Sequence, residues 1–232
     1  SSQWVGGFYF LIFLVLIFSN KQINFKMIDL SFNLEKKINF SSNIINVTSR
    51  IFFIYLSLTV LIFSIFLLSG IRIFDSLNLS LTVISSGGFL PTDNLNDIIR
   101  NNFQAILLCF SFLISILNFY FLYNLVLSRE SIKEHREDIY LIILIIVFSL
   151  IFYFINDSNL SAVFINVLSS IGNSGISTKA VPDNFALYFI ILVLIGGSVL
   201  STTSGIKLLR VYILIKAFFM EISKLTKPNV VI

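Results

Sequence analysis

The chain has 232 residues, 56% of them hydrophobic and 12% charged, with a net charge of +4 and a mean hydropathy of +0.94. A soluble domain carries roughly 25% charged residues, so composition excludes that class and assigns the chain to the lipid bilayer. One cysteine, Cys109, and one histidine, His135, exclude an intrachain disulfide and a Cys/His metal site.

Crossing the ~30 Å hydrocarbon core takes about 20 apolar residues in a helix. In chain order the candidate spans are 5–18, 51–71, 103–127, 139–155 and 185–212. The first is short for a span, and the last is interrupted by Gly, Ser and Thr. No basic region precedes the first run, so it does not read as a cleavable signal peptide. The chain opens on Ser beside a membrane helix, which leads to the expectation of a fragment of a longer polypeptide.

Two short apolar segments, 74–84 and 162–171, are too brief to cross a bilayer and run into Gly/Ser loops. The first loop reads Ile84-Ser85-Ser86-Gly87-Gly88-Phe89 and the second Gly172-Asn173-Ser174-Gly175-Ile176-Ser177. Gly88 and Gly175 stand 87 residues apart, as do Ile51 and Asp138 near the starts of the preceding helices. Non-helical backbone at membrane depth is tolerated only when buried in protein or lining water. Glycines there let the chain turn its carbonyls toward a passing ion. Ser85, Ser86, Asn173 and Ser174 add side-chain oxygens, and Gly87, Phe89 and Ile176 complete the two strings. The expected fold class is all-α integral membrane, with repeated helix–pore loop–helix units of a cation-channel-like transporter. Hard monovalent cations, which want several such oxygens in place of their water, are the ions these loops would suit.

The last apolar run carries Gly196, Gly197, Ser198, Ser201, Thr202, Thr203, Ser204 and Gly205 before Lys207 and Arg210. Such a segment predicts a broken helix whose freed backbone groups are satisfied by hydroxyls, and below a filter it could gate. A small-residue surface for close helix packing is the other reading. Lys207 and Arg210, one turn apart, fit snorkelling at the cytoplasmic boundary or an electrostatic barrier in the ion path.

Charge predicts orientation. Lys21, Lys26, Lys36, Lys37 and Arg50, then Arg129, Lys133 and Arg136, then Lys207, Arg210, Lys216, Lys224 and Lys227 fall on one side. The other side holds Arg72, Arg100 and Lys179, so the pore loops are expected to face outside. Asp75, Asp93, Asp97, Asp157 and Asp183 make that side mildly negative, either as a cation-enriching vestibule or as ordinary solvated loops.

Several segments resemble, in order, the TrkH-type membrane subunit of the Trk/Ktr/HKT potassium transporter superfamily. Gln3-Trp4-Val5-Gly6-Gly7 resembles the Q-W-x-G-G that opens the return helix of its first repeat, and Ser85–Phe89 its S-T-G-G-F filter loop. Asn118-Phe119 and the charged 134–138 linker also fit. Gly196-Gly197 through Gly205-Ile206-Lys207 and Arg210 resembles its G-G-x-x-G-S-T-x-G-G-I-K-x-x-R gate loop, and the tail 224–229 its R-L-x-H-P-N. Asn173 and Ile176 depart from the usual Thr and aromatic of a filter, and Leu200 and Ser204 replace two gate-loop glycines.

The resemblance implies a return helix of a preceding repeat plus cytoplasmic linker over 1–48 and a complete repeat over 49–128. It implies a second repeat over 129–232, with a gate-bearing return helix and cytoplasmic tail. The first and fourth filter loops of a four-repeat pore would be missing. The expected function is potassium uptake across the inner membrane, with K+ as transported ion and no bound cofactor. A secondary transporter with a broken-helix substrate site is the alternative. No Asp or Glu lies within the apolar stretches, which favours the channel-like reading. No phosphate loop, metal-ligand cluster or catalytic triad is visible, so no enzyme is expected. The resemblance further implies a homodimer and a cytosolic nucleotide-binding regulatory subunit, docked on the basic stretches 21–50, 129–136 and 207–227. Lipid is the remaining partner, and no nucleic acid is expected.

Overall fold

The computed structural model describes residues 2–19, 44–92, 94–119, 122, 136–156, 159–178 and 183–226. The basic segment 21–43, Asp93, the linker 123–135 with His135, Asp157, Lys179 and the tail 227–232 lie outside them.

Helices alone build the described residues. In order they are α1 Ser2–Ser19, α2 Ile44–Leu68, α3 Ile73–Ser85, the single turn α4 Leu95–Ile98 and α5 Asn102–Ile116. Then follow α6 Arg136–Asn156, α7 Leu160–Ile171, a 3-10 turn Asp183–Phe185, α8 Ala186–Ile195 and α9 Leu208–Thr226. Windows in α2, Ile51–Leu68, and in α6, Glu137–Asn156, are long and apolar enough to cross a membrane. At 1.5 Å per residue, α3 and α7 reach only about 20 Å, too short for a span. Ile73 and Leu160, which start them, are again 87 residues apart.

The half-helices occupy the interior and the long helices face outward. In α3, Leu79, Val83 and Ile84 are fully buried; in α7, Val167 and Ile171 are. Phe53, Val60 and Leu68 of α2 and Ile143, Ile146 and Leu150 of α6 are exposed, as lipid-facing residues are. Buried hydroxyls bond to carbonyls of their own helix, as Ser111 does to Leu107 and Ser115 to Phe112. A polar side chain thereby costs little in an apolar interior.

The expected span 103–127 differs from what is found. α5 stops at Ile116, and Leu117 is extended with φ −70° and ψ 161°. The apolar pattern continues, but the backbone groups beyond Leu117 turn to partners elsewhere in the chain. At its start, α5 is held by Gln104. Its Oε1 accepts the Arg100 and Asn101 N–H groups at 2.9 and 3.4 Å, while Nε2 donates to the Ser69 carbonyl at 3.1 Å. The side chain is buried and joins the end of α2 to the start of α5. Gln104→Leu strips these partners and should lower unfolding free energy by about 2–3 kcal/mol. Thermal melting in detergent would show it.

Candidate functional site

Three non-helical segments converge in the bundle. The first leaves α3 at Ser86, which adopts the left-handed conformation (φ 54°), followed by Gly88 at φ 85°. The second leaves α7 and repeats the pattern one for one: Asn173 stands at φ 55° and Gly175 at φ 68°. The 87-residue offset read from composition is therefore also a conformational register. Asn tolerates the left-handed region better than most residues, which accounts for Asn173 at this position.

The two loops touch. A Cβ on Gly88 would fall on the Ser174 carbonyl oxygen, so only a bare Cα fits. Asn96, from α4, donates to the Thr178 carbonyl at 2.9 Å, and the Thr178 N–H reaches Asn166 Oδ1 at 3.3 Å. Within the first loop, Thr82 Oγ1 donates to the Phe89 carbonyl at 2.7 Å; within the second, Ser169 and Ser174 hydroxyls pair at 3.0 Å. Ser85 bonds back to the Leu81 carbonyl at 2.7 Å, so its hydroxyl faces its own helix rather than the loop. Phe89 is 74% exposed and Ile176 is buried, so each enters the site through its backbone.

α1 holds the first loop from behind. Gln3 Nε2 donates to the Gly87 carbonyl at 2.9 Å, and a Cβ on Gly87 would strike the Gln3 side chain. Trp4 Nε1 donates to Thr59 Oγ1 at 3.0 Å, and the Tyr55 hydroxyl donates to the Trp4 carbonyl at 3.1 Å. Gly7 lies against Ser85 and the Tyr55 hydroxyl. The Gln-Trp-x-Gly-Gly string thus reads as a scaffold for the loop.

The third segment, 196–207, leaves α8 at Gly196 and rejoins helix at Leu208. The Ile206 N–H donates to Leu194 O at 2.9 Å and the Leu208 N–H to Gly197 O at 3.3 Å, which closes the neck of the loop. Ser201, Thr202 and Thr203 are buried, and Ser204 and Gly205 are exposed. Thr202 Oγ1 comes within 3.4 Å of Ser86 Oγ, so the loop tip meets the first Gly/Ser loop. Lys207 is only 4% exposed and turns its ammonium back into the loop, whereas Arg210 is exposed on α9. Arg210 thus stands at the margin of the cluster, close enough to oppose the Lys207 charge.

The same segment explains where α5 ends. The Ser198 N–H donates to Ile116 O at 3.1 Å and the Phe119 N–H to Leu200 O at 2.9 Å, so two broken helices satisfy each other's backbone.

Two residues escape sequence reasoning. Glu137 and Asp138, at the first turn of α6, are 7% and 2% exposed. Glu137 Oε1 accepts the Val199 N–H at 3.0 Å, and Asp138 Oδ1 accepts the Asn118 N–H at 3.0 Å. Glu137 also attracts Lys207 electrostatically. The apolar stretch 139–155 excludes both acids, but the helix carries them inside. The expectation of spans without acids is corrected accordingly. Two adjacent acids directly ahead of an apolar run were the signal.

No protein-family model matches the chain. An uncharacterised cation transporter of Methanocaldococcus jannaschii is 26% identical over 230 residues, covering 98% of this chain and 48% of that protein. The Trk system potassium uptake protein TrkG of Escherichia coli strain K12 is 32% identical over 177 residues. That match covers 70% of this chain and 36% of TrkG. The crystal structure of the potassium transporter TrkH from Vibrio parahaemolyticus superposes with a TM-score of 0.74 at 22% identity. It covers 99% of this chain and 50% of that one. The chain thus spans about half the length of the TrkH chain and of the archaeal relative, and about a third of TrkG. The fold is that of a TrkH-type membrane subunit, an all-helical integral membrane architecture with repeated pore-loop units. These relatives are transporters by name, not enzymes.

Proposed function

We propose that this chain contributes two filter loops and an intramembrane gate to a potassium uptake transporter. Ser85, Ser86, Gly87, Gly88 and Phe89 form one filter loop; Asn173, Ser174, Gly175 and Ile176 form the other. Gly196, Gly197, Ser201, Thr202, Thr203, Ser204, Gly205 and Lys207 form the gate, with Arg210 at its cytoplasmic margin. The observation that carries this reading is the meeting of three irregular segments, Gly88 against the Ser174 carbonyl and Ser86 beside Thr202. Irregular backbone inside an apolar bundle is sustained where it is buried in protein or lines water, and a filter loop does both. Support for potassium comes from TrkG and TrkH, which are named for potassium.

In this reading residues 49–128 and 129–232 are two helix–pore loop–helix units, and 1–48 carries the return helix of another. The loops face outside across the inner membrane. Carbonyls replace the ion's water, and the membrane potential, worth about 2.3 kcal/mol per charge per 100 mV, drives it inward. A homodimer and a cytosolic nucleotide-binding regulatory subunit complete the proposed assembly.

The natural full-length protein, reconstituted in vesicles, should take up rubidium tracer when only a potassium-diffusion-free membrane potential is imposed. Absence of uptake under a potential, with uptake appearing once a sodium or proton gradient is added, would instead establish the secondary-transporter alternative.

A further inference from the structure

The 196–207 loop is folded around a positive charge. The Lys207 ammonium lies 3.3 Å from the Ser201 carbonyl, 3.1 Å from Ser201 Oγ and 3.1 Å from Thr203 Oγ1, and it also bonds to the Thr203 carbonyl. Ser201 and Thr203 are wholly buried. Their hydroxyl hydrogens can be assigned. Ser201 Oγ donates to the Ser198 carbonyl at 2.7 Å, so it can only accept from Thr203, whose Oγ1 lies 2.7 Å away. Thr203 Oγ1 also accepts the Gly197 N–H at 3.1 Å. Both hydrogens therefore point away from the ammonium, which meets only lone pairs and carbonyls. The Phe10 ring of α1 faces the same charge, 5.7 Å from its centroid; the Glu137 carboxyl favours that charge electrostatically and Arg210 opposes it.

The lysine's backbone is bent to deliver it. Lys207 stands at φ 75°, a left-handed conformation that non-glycine residues adopt only when their surroundings impose it.

We propose that Ser201 and Thr203 form a monovalent-cation site of four oxygens, and that Lys207 occupies it as a tethered cation which holds the loop in shape. Oxygen lone pairs gathered around one charge are what a channel filter offers a cation in place of its water. The ammonium supplies that charge covalently, so the loop folds without capturing an ion. The cage stands on the loop geometry alone; its effect on flux rests on the gate reading above.

Lys207→Ala in the natural full-length protein vacates the cage and leaves room for the atoms removed. In detergent with N-methylglucamine as the only other cation, propylammonium should raise the variant's melting temperature by about 3–5 °C, with no change in the wild type. Tetramethylammonium, wider and without N–H groups, should do nothing. In vesicles the variant should leak rubidium about tenfold faster than wild type, and propylammonium on the cytoplasmic side should reverse the leak. Equal melting shifts in both proteins, or none in the variant, would overturn the cage. If Lys207→Ala yields no folded protein, Thr203→Val, which keeps the lysine and removes one oxygen, decides the matter. It should melt lower and leak about threefold more, with no response to propylammonium; wild-type melting and flux would overturn the site. Should neither wild type nor variant carry rubidium, the gate reading fails while the melting experiment still judges the cage.

Discussion

Gly88→Ala should abolish low-potassium growth supported by the natural full-length protein in a bacterium lacking its own potassium uptake. Two costs act together at this position. At φ 85° a Cβ brings a left-handed penalty of about 1–2 kcal/mol. The same Cβ would land on the Ser174 carbonyl oxygen, and forcing atoms into a filled space costs typically about 1–3 kcal/mol more. Backbone on both sides of the contact must move, and these are the carbonyls that would replace an ion's water. Rubidium flux should fall by at least about tenfold at matched expression, since each ~1.4 kcal/mol corresponds to a factor of ten. Gly175→Ala provides the contrast. Its φ is 68°, but a Cβ there meets nothing within 4 Å, so only the backbone penalty applies. The expected order of flux is wild type, then Gly175→Ala, then Gly88→Ala. Normal growth of the Gly88 variant would remove this loop from the ion path.

Gly196→Ala should unseat the gate loop, lowering thermal stability and making the protein leak. Gly196 has φ 68° and ψ −170°, a region essentially reserved for glycine, and strain there costs about 1–3 kcal/mol. A Cβ would strike the Ser204 carbonyl and lie 3.2 Å from the Gly205 Cα. This is the neck where Ile206 bonds to Leu194 and Leu208 to Gly197. Wedging it apart pulls Thr202 from Ser86, and the segment crossing the site loses its seat. A loss of about 2–5 kcal/mol and a several-fold rise in rubidium leak are expected. Gly6→Ala is the control, because its Cβ meets nothing and it lies within α1. Wild-type melting and flux for the Gly196 variant would show that the neck tolerates a side chain and that the loop is not held there.

Much of the fold is legible in the chain because membrane helices announce themselves by length and apolarity. The half-helices before Ser86 and Gly172 could be read as too short to cross, and the glycine offset located the two loops. The break after Ile195 was legible too, since a run of Gly, Ser and Thr cannot sit quietly in lipid. Arg210, which the resemblance groups with the gate loop, lies exposed on α9 beyond the point where the helix resumes at Leu208, close enough to oppose the Lys207 charge.

The end of α5 was not legible. Residues 103–127 are apolar almost throughout, and nothing local marks Leu117 as a stop. The stop is set by Ser198 and Leu200, some 80 residues later, which exchange backbone hydrogen bonds with Ile116 and Phe119. Glu137 and Asp138 were misjudged for a related reason. By composition they belong to a charged linker, but each caps a backbone N–H from a distant broken segment, and that pairing makes their burial tolerable.

By itself the sequence determined that the chain lives in the bilayer, where its helices run, and where the backbone must turn irregular. Those properties follow from local hydrophobicity and from the rarity of glycine's conformations. Only the tertiary structure decided which irregular segments meet, which carbonyl rests on Gly88, and which charge fills the 196–207 loop. A backbone group freed from its helix must find a partner in an interior without water, and that partner can lie anywhere along the chain.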